Sequence, residues 1–183
     1  MGQKFAAKDA QGNLGFYDSV DSPLPEEATD AVAITDEEWE AAKATQGYAI
    51  VNGVFTPPTA DVLLEQARMQ QTAVLRAAYN TAIQQPVSYT SKSGATKGYQ
   101  TDSVSVANLA QMILAFQATG AVPDGFYWVA ADNTQVPFTY ADLQGLAQAM
   151  GAQGAAAFQK FQTCKVQVGA AATVAAVQAI VWS

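Results

Sequence analysis

The chain has no histidine. This removes the serine–histidine–aspartate and cysteine–histidine nucleophile arrangements, histidine-bearing zinc sites and the commonest general base near neutral pH. A single cysteine, Cys164, precludes an intrachain disulfide, and its neighbours Phe158, Phe161 and Val166 mark it as a small buried hydrophobe rather than a nucleophile. Charge is scarce as well: 14% of the 183 residues are ionised, against roughly 25% in ordinary soluble domains. Two explanations serve equally, a surface meant to be covered by a partner and an alanine-rich, tightly packed helical core. No Walker-type loop or glycine fingerprint is present, so nucleotide use is not indicated. No uninterrupted apolar run reaches about 18 residues, and Met1-Gly2-Gln3-Lys4-Phe5 lacks the apolar segment of a secretory signal, so neither a membrane span nor a leader is expected.

What charge there is lies unevenly. Residues 1–65 carry 12 acids and 3 bases, whereas residues 66–183 carry 4 acids and 6 bases, within a net charge of −7. The basic residues Lys92, Lys97, Lys160 and Lys165 are scattered and form no stripe that could displace counterions, which argues against nucleic acid as a partner. Length allows one main domain with a smaller extension.

Turn chemistry and periodicity give the element order. Extended runs at residues 4–7 and 14–17 flank the turn sequence Asp9-Ala10-Gln11-Gly12-Asn13, and a third at 31–34 leads into Thr35-Asp36-Glu37-Glu38, a capping box with Ile34 and Trp39 as its apolar staple. A short helix to about residue 45 follows, stopped by Gly47. Asn52-Gly53 predicts a tight hairpin. After Pro57-Pro58, residues 60–84 hold strong helix formers without glycine or proline; Leu64, Ala67, Gln71, Leu75, Ala78 and Ala82 share one face of that helix, which can pack on its own domain or on a second chain. Beyond Pro86 the pattern predicts a strand at 87–90 and a turn before Tyr99. Asp102 then caps a helix over 103–119 that stops at Gly120, and strands at 126–130 and 135–138 surround Asp132-Asn133. Thr139 with Asp142 repeats the capping box, and the long helix it opens contains Gly151 and Gly154, sites of close approach or of a bend. Gly169 is expected to break it, and Thr173 to start a short last helix.

Residues 1–58 thus read as an acidic amino-terminal module, 59–85 as a connecting helix and 86–183 as a carboxy-terminal domain, the whole being α+β. No catalytic residue, metal ligand or cofactor is predicted. Asp102, Asp124, Asp132 and Asp142, the acids beyond residue 66, could in principle supply a carboxylate pair for glycoside hydrolysis, yet each stands where a helix start or a turn wants an acceptor. The acidic run Asp36-Glu37-Glu38 with Glu40 lacks the spacing of a calcium loop and suits the first turn of a helix. Among the aromatics, strand alternation sends Phe126 and Trp128 to one face, read as core, and Tyr127 to the other as the better contact candidate.

The ordered pattern Tyr99-Gln100-Thr101-Asp102, Ser105, Asn108-Leu109, Trp128, Asp132-Asn133, Val136, Phe138-Thr139 and Leu143 resembles a carboxy-terminal domain shared by many bacteriophage and prophage tail proteins, itself without an assigned function. Upstream, Gly15-Phe16-Tyr17-Asp18, a linker over 25–31, Ala33-Ile34-Thr35-Asp36-Glu37-Glu38-Trp39 and Gly47 resemble the start of phage tail fibre assembly proteins. The resemblance implies a non-enzymatic chaperone that binds a tail fibre, aids its folding or trimerisation or caps its tip, acting in the host bacterial cytoplasm. The alternative it implies is a structural virion component or receptor-binding adhesin retained at the fibre tip. On this reading Tyr127, Asn133, Leu64, Gln71 and Leu75 are the partner-contact candidates, with Thr35, Asp102 and Thr139 as structural caps; the fibre is the partner, a homo-oligomer is possible, and neither nucleic acid nor membrane is engaged.

Overall fold

The computed structural model describes residues 2–183. The protein is α+β, and it divides into two compact units, the first ending at Ala67 and the second spanning Arg68–Ser183.

In the first unit, β1 (Lys4–Lys8) lies between β2 (Leu14–Asp18) and β3 (Thr29–Ile34) in an antiparallel sheet of order β2-β1-β3. The extended run before Thr35 is the third strand of this sheet and leads directly into the helix cap. Helix α1 (Asp36–Ala44) starts with the complete capping box: Thr35 Oγ1 accepts from the Glu38 N–H at 3.1 Å and Glu38 accepts from the Thr35 N–H at 2.8 Å, satisfying two otherwise unpaired backbone donors. Strands β4 (Ala49–Val51) and β5 (Val54–Thr56) close on Asn52-Gly53. Both turn residues have positive φ, 51° and 76°, which is why asparagine and glycine stand there. Ala6, Ile34, Ala42, Ile50 and Phe55 form the core, with Phe16 edge-on to Trp39 and Tyr48 stacked on Phe55.

Helix α2 (Ala60–Ile83) is continuous and contains the division between units, after Ala67. Side-chain hydrogen bonds follow the same division. Gln66 donates to the Gln46 carbonyl in the first unit, whereas Arg68 and Gln71 donate to the Ala171 and Ile180 carbonyls in the second.

The second unit continues with β6 (Val87–Thr90) paired to β7 (Thr96–Tyr99), α3 (Ser103–Phe116), β8 (Tyr127–Val129) paired to β9 (Gln135–Pro137), α4 (Tyr140–Ala170) and α5 (Val174–Gln178). Tyr99, Leu109, Val136, Phe138, Leu143 and Leu146 are its buried centre, and Phe126 and Trp128 pack against them. Helix α4 runs unbroken through Gly151, Gly154 and Gly169, ending one residue beyond the last. Its remaining residues are good helix formers, and long-range packing of Leu143, Met150, Phe161 and Val168 outweighs a glycine cost of about 1 kcal/mol each. Helix α3 stops at Phe116, three residues before the expected end, with Gly120 in the left-handed region at φ 63°.

The glycines of α4 divide into two kinds. A Cβ at Gly145 would fall 2.9 Å from ring carbons of Tyr89, whereas one at Gly151 or Gly154 would meet nothing within 4 Å. Gly145→Ala is therefore expected to destabilise the protein by about 1–3 kcal/mol, and Gly151→Ala to stabilise it by about 0.5–1 kcal/mol. Urea denaturation should show the two midpoints moving in opposite directions.

Candidate functional site

Asp142 holds the second unit together locally. As the third residue of α4 it accepts from the Thr139 N–H at 2.8 Å and from Thr139 Oγ1 at 2.7 Å through one oxygen. Its other oxygen accepts from the Lys92 N–H at 2.8 Å and from Tyr89 Oη at 3.2 Å. The helix cap and the β6–β7 hairpin thus share one carboxylate, itself only 1% exposed. Burial pushes this carboxyl up, but the hydrogen bonds from Thr139, Lys92 and Tyr89 outweigh burial and leave it below its ordinary value. The remaining acids in this region are similarly occupied. Asp102 caps α3 by accepting from the Val104 and Ser105 N–H groups and from Ser105 Oγ, which lower its pKa, and Asp132 pairs with Lys97 at 2.8 Å, which lowers its own.

Side chains also close the end of α2. Thr101 Oγ1 lies 2.9 Å from the carbonyls of both Ile83 and Gln85, and Gln153 Nε2 donates to the carbonyls of Ala82 and Gln85. Of these carbonyls, that of Ala82 also accepts from the Gln85 N–H at 3.4 Å, and the last carbonyls of a helix otherwise lack intrahelical partners. Neither residue carries a local signal for this task, since both bonds join segments distant in sequence. Farther along, Tyr79 stacks on Phe161, which Arg76 covers with its guanidinium 4.9 Å from the ring centre.

A cleft of about 320 Å³ lies beside the β8–β9 hairpin, lined by Gln100, Ser105, Asn108, Asn133 and the β8 segment from Tyr127 to Ala130. The two predicted contact residues Tyr127 and Asn133 meet here. Gln100, Ser105 and Asn108 were legible as part of the motif but not as lining. They come together because Asp102 starts α3 and the spacing of Ser105 and Asn108, one turn apart, sets both on the same face. Among the described residues, the side-chain amides of Gln100, Asn108 and Asn133 have no hydrogen-bond partner, and apart from the Tyr127 phenol no lining side chain is ionisable. Asn133 takes a positive φ of 63° in the turn, a conformation asparagine tolerates.

The predicted α2 candidates lie elsewhere. Leu75 is wholly buried and Gln71 spends its amide on the Ile180 carbonyl, so both serve the interior of the second unit; Leu64 is half-buried in the first. A second, apolar groove of about 420 Å³ runs between α2, α3 and α4, lined by Ile83, Val106, Ile113, Met150, Gly151 and Gly154 among others. Among the described residues no cluster of three metal-ligating side chains occurs, and no helix is long and apolar enough to cross a membrane.

The second unit is a mixed domain in which short hairpins and helices are pinned by shared polar side chains, with an uncharged cleft along one hairpin. The chain belongs to the family described as a domain of unknown function (DUF4376), which matches residues 66–181. No curated protein and no solved structure matches it.

The acids have a testable consequence. Because Asp102, Asp132 and Asp142 are lowered in the fold, from an ordinary value near 3.8, their contribution is complete above that value and is lost as pH falls through their folded values. The urea midpoint should therefore hold steady down to about pH 5 and drop steeply between about pH 4 and pH 2. Asp142→Asn, which turns an NH2 group toward donors, should cost about 2–4 kcal/mol at neutral pH and flatten the acid limb of that profile.

Proposed function

We propose that this chain is a tail fibre assembly factor of a bacteriophage or prophage, a chaperone acting in the host bacterial cytoplasm by covering fibre surface rather than by catalysis. The observation that supports this most directly is where the motif residues go. Asp102 and Thr139 cap helices, the latter with Asp142, while Gln100, Ser105, Asn108, Trp128 and Asn133 collect, together with Tyr127, in one uncharged cleft. Three of the four acids beyond residue 66 are committed to caps or an ion pair, leaving the pair Asp132 and Asp142 with structural tasks rather than a shared substrate.

The physical need for such a factor is plain. Trimeric fibres are long intertwined β structures whose pairing is non-local and slow, so unpaired strands and apolar tip surface stay exposed while the chains assemble. A partner that shields them needs a contact surface and no reactive group. Low charge suits that surface, because few ionised groups lose their hydration on contact.

Co-expression with the neighbouring fibre gene should raise the soluble, trimeric fraction of the fibre several-fold, measured by sedimentation and resistance of the trimer to detergent. Fibre that reaches the same soluble yield without this chain would refute the proposal. Mass spectrometry of purified particles then distinguishes a transient chaperone, sparse or missing, from a tip component held at a fixed ratio to the fibre.

A further inference from the structure

The cleft follows an open strand edge. Ala130 donates to the Thr134 carbonyl and Phe138 to the Phe126 carbonyl, and in an antiparallel ladder bonded and non-bonded pairs alternate. With Trp128 opposite Val136, that phase makes Tyr127–Pro137 and Val129–Gln135 the non-bonded pairs. Pro137 agrees, since its missing N–H belongs at a position that does not face β8. The N–H and C=O groups of Tyr127 and Val129 therefore point away from β9. The next residue of that parity, Ala131, donates to the Gly98 carbonyl at 2.8 Å. Beyond Gly98 the chain leaves this edge for Thr101 and the α2 terminus, and among the described residues nothing takes its place beside Val129 and Tyr127.

The lining of the cleft confirms that it lies along the edge and not on a face. Four consecutive residues, Tyr127 to Ala130, border it, although alternate side chains of a strand project to opposite faces. Tyr127 and Val129 are 46% and 47% exposed. The exposed side chains of Gln100 and Asn108, which bond to nothing within the described residues, line the same cleft.

We infer that this cleft takes an extended, uncharged polypeptide segment, which pairs with the outward edge of β8 as a third strand while Gln100 and Asn108 meet the far side of the incoming backbone. The backbone groups at Tyr127 and Val129 repeat every two residues, about 6.8 Å, the repeat of a β-strand. Side-chain amides supply both a donor and an acceptor, as a peptide backbone requires. The outward N–H and C=O groups of β8 select a polypeptide over a glycan, for which the lining rings of Tyr127 and Trp128 would be the contact that maltopentaose tests. The inference deepens the assembly reading and rests on it for the identity of the partner, not for the chemistry of the cleft.

Amide hydrogen exchange by NMR on the full chain tests it, with three probes: the co-expressed fibre, a capped five-residue peptide of alternating threonine and valine, and maltopentaose, the small probes at millimolar concentration. The fibre complex and the peptide should each slow exchange at Tyr127 and Val129 by about fivefold or more. Val129→Pro removes an outward N–H without touching a β8–β9 bond and is read at Tyr127 alone, and the double variant Gln100→Lys/Asn108→Lys charges the lining without altering β8 and is read at both; each should abolish the protection, with exchange at Leu109 and Leu143 unchanged as the control for folding. If wild type and both variants assist the fibre equally, the cleft assignment falls and the assembly reading stands. If the peptide is protected in the wild type alone but the fibre is not assisted, the assembly reading falls and the cleft assignment stands. No protection by either polypeptide probe, or a response to maltopentaose alone, overturns the cleft assignment.

Discussion

The carboxylate of Asp142 is the constraint on which the second unit depends. A helix start leaves donors unpaired, and a hairpin turn leaves others; one buried anion answers both, joining Thr139 to Lys92 and Tyr89 across fifty residues of chain. Each oxygen takes two donors, so removing the carboxylate takes the shared acceptor from all of them at once, which costs more than a single bond supplies. Tyr89 in turn lies against Gly145, where no larger residue fits, so the anion, the ring and the glycine fix the position of the hairpin on α4.

The same economy recurs at the other helix ends. Thr101 and Gln153 serve the carbonyl end of α2, and Arg68 serves the Ala171 carbonyl that follows α4. A few polar side chains, Arg68, Gln71, Thr101 and Gln153 among them, complete backbone hydrogen bonding between segments of this unit. The cleft differs in setting three exposed amides beside a strand edge. Its composition leaves backbone pairing, rather than ion pairing, as the available mode of contact.

Much of the element order was legible because it rests on local chemistry. Thr35 with Glu38 and Thr139 with Asp142 are capping boxes whose partners sit three residues apart, and Asn52-Gly53 can hardly be anything but a tight turn. What distant segments decide was less legible. The run before Thr35 was legible as extended but its pairing with β1 was not, and Gln66, Arg68 and Gln71 bond to different units from a helix of uniform composition. Leu75 lay on a stripe equally suited to a second chain and to the interior, and packing within the second unit claimed it.

The candidate site follows the same rule. Sequence by itself determined the hairpin around Asp132-Asn133, the outward parity of Tyr127 and the cap that sets Ser105 and Asn108 on one face of α3, because each follows from backbone geometry within a few residues. Only the tertiary structure decided that this face stands opposite β8 and that the chain beyond Gly98 turns aside to reach the end of α2. A strand edge is left open by what fails to arrive beside it, and that depends on hydrogen bonds, such as those of Thr101 to Ile83 and Gln85, whose partners lie beyond the reach of local pattern.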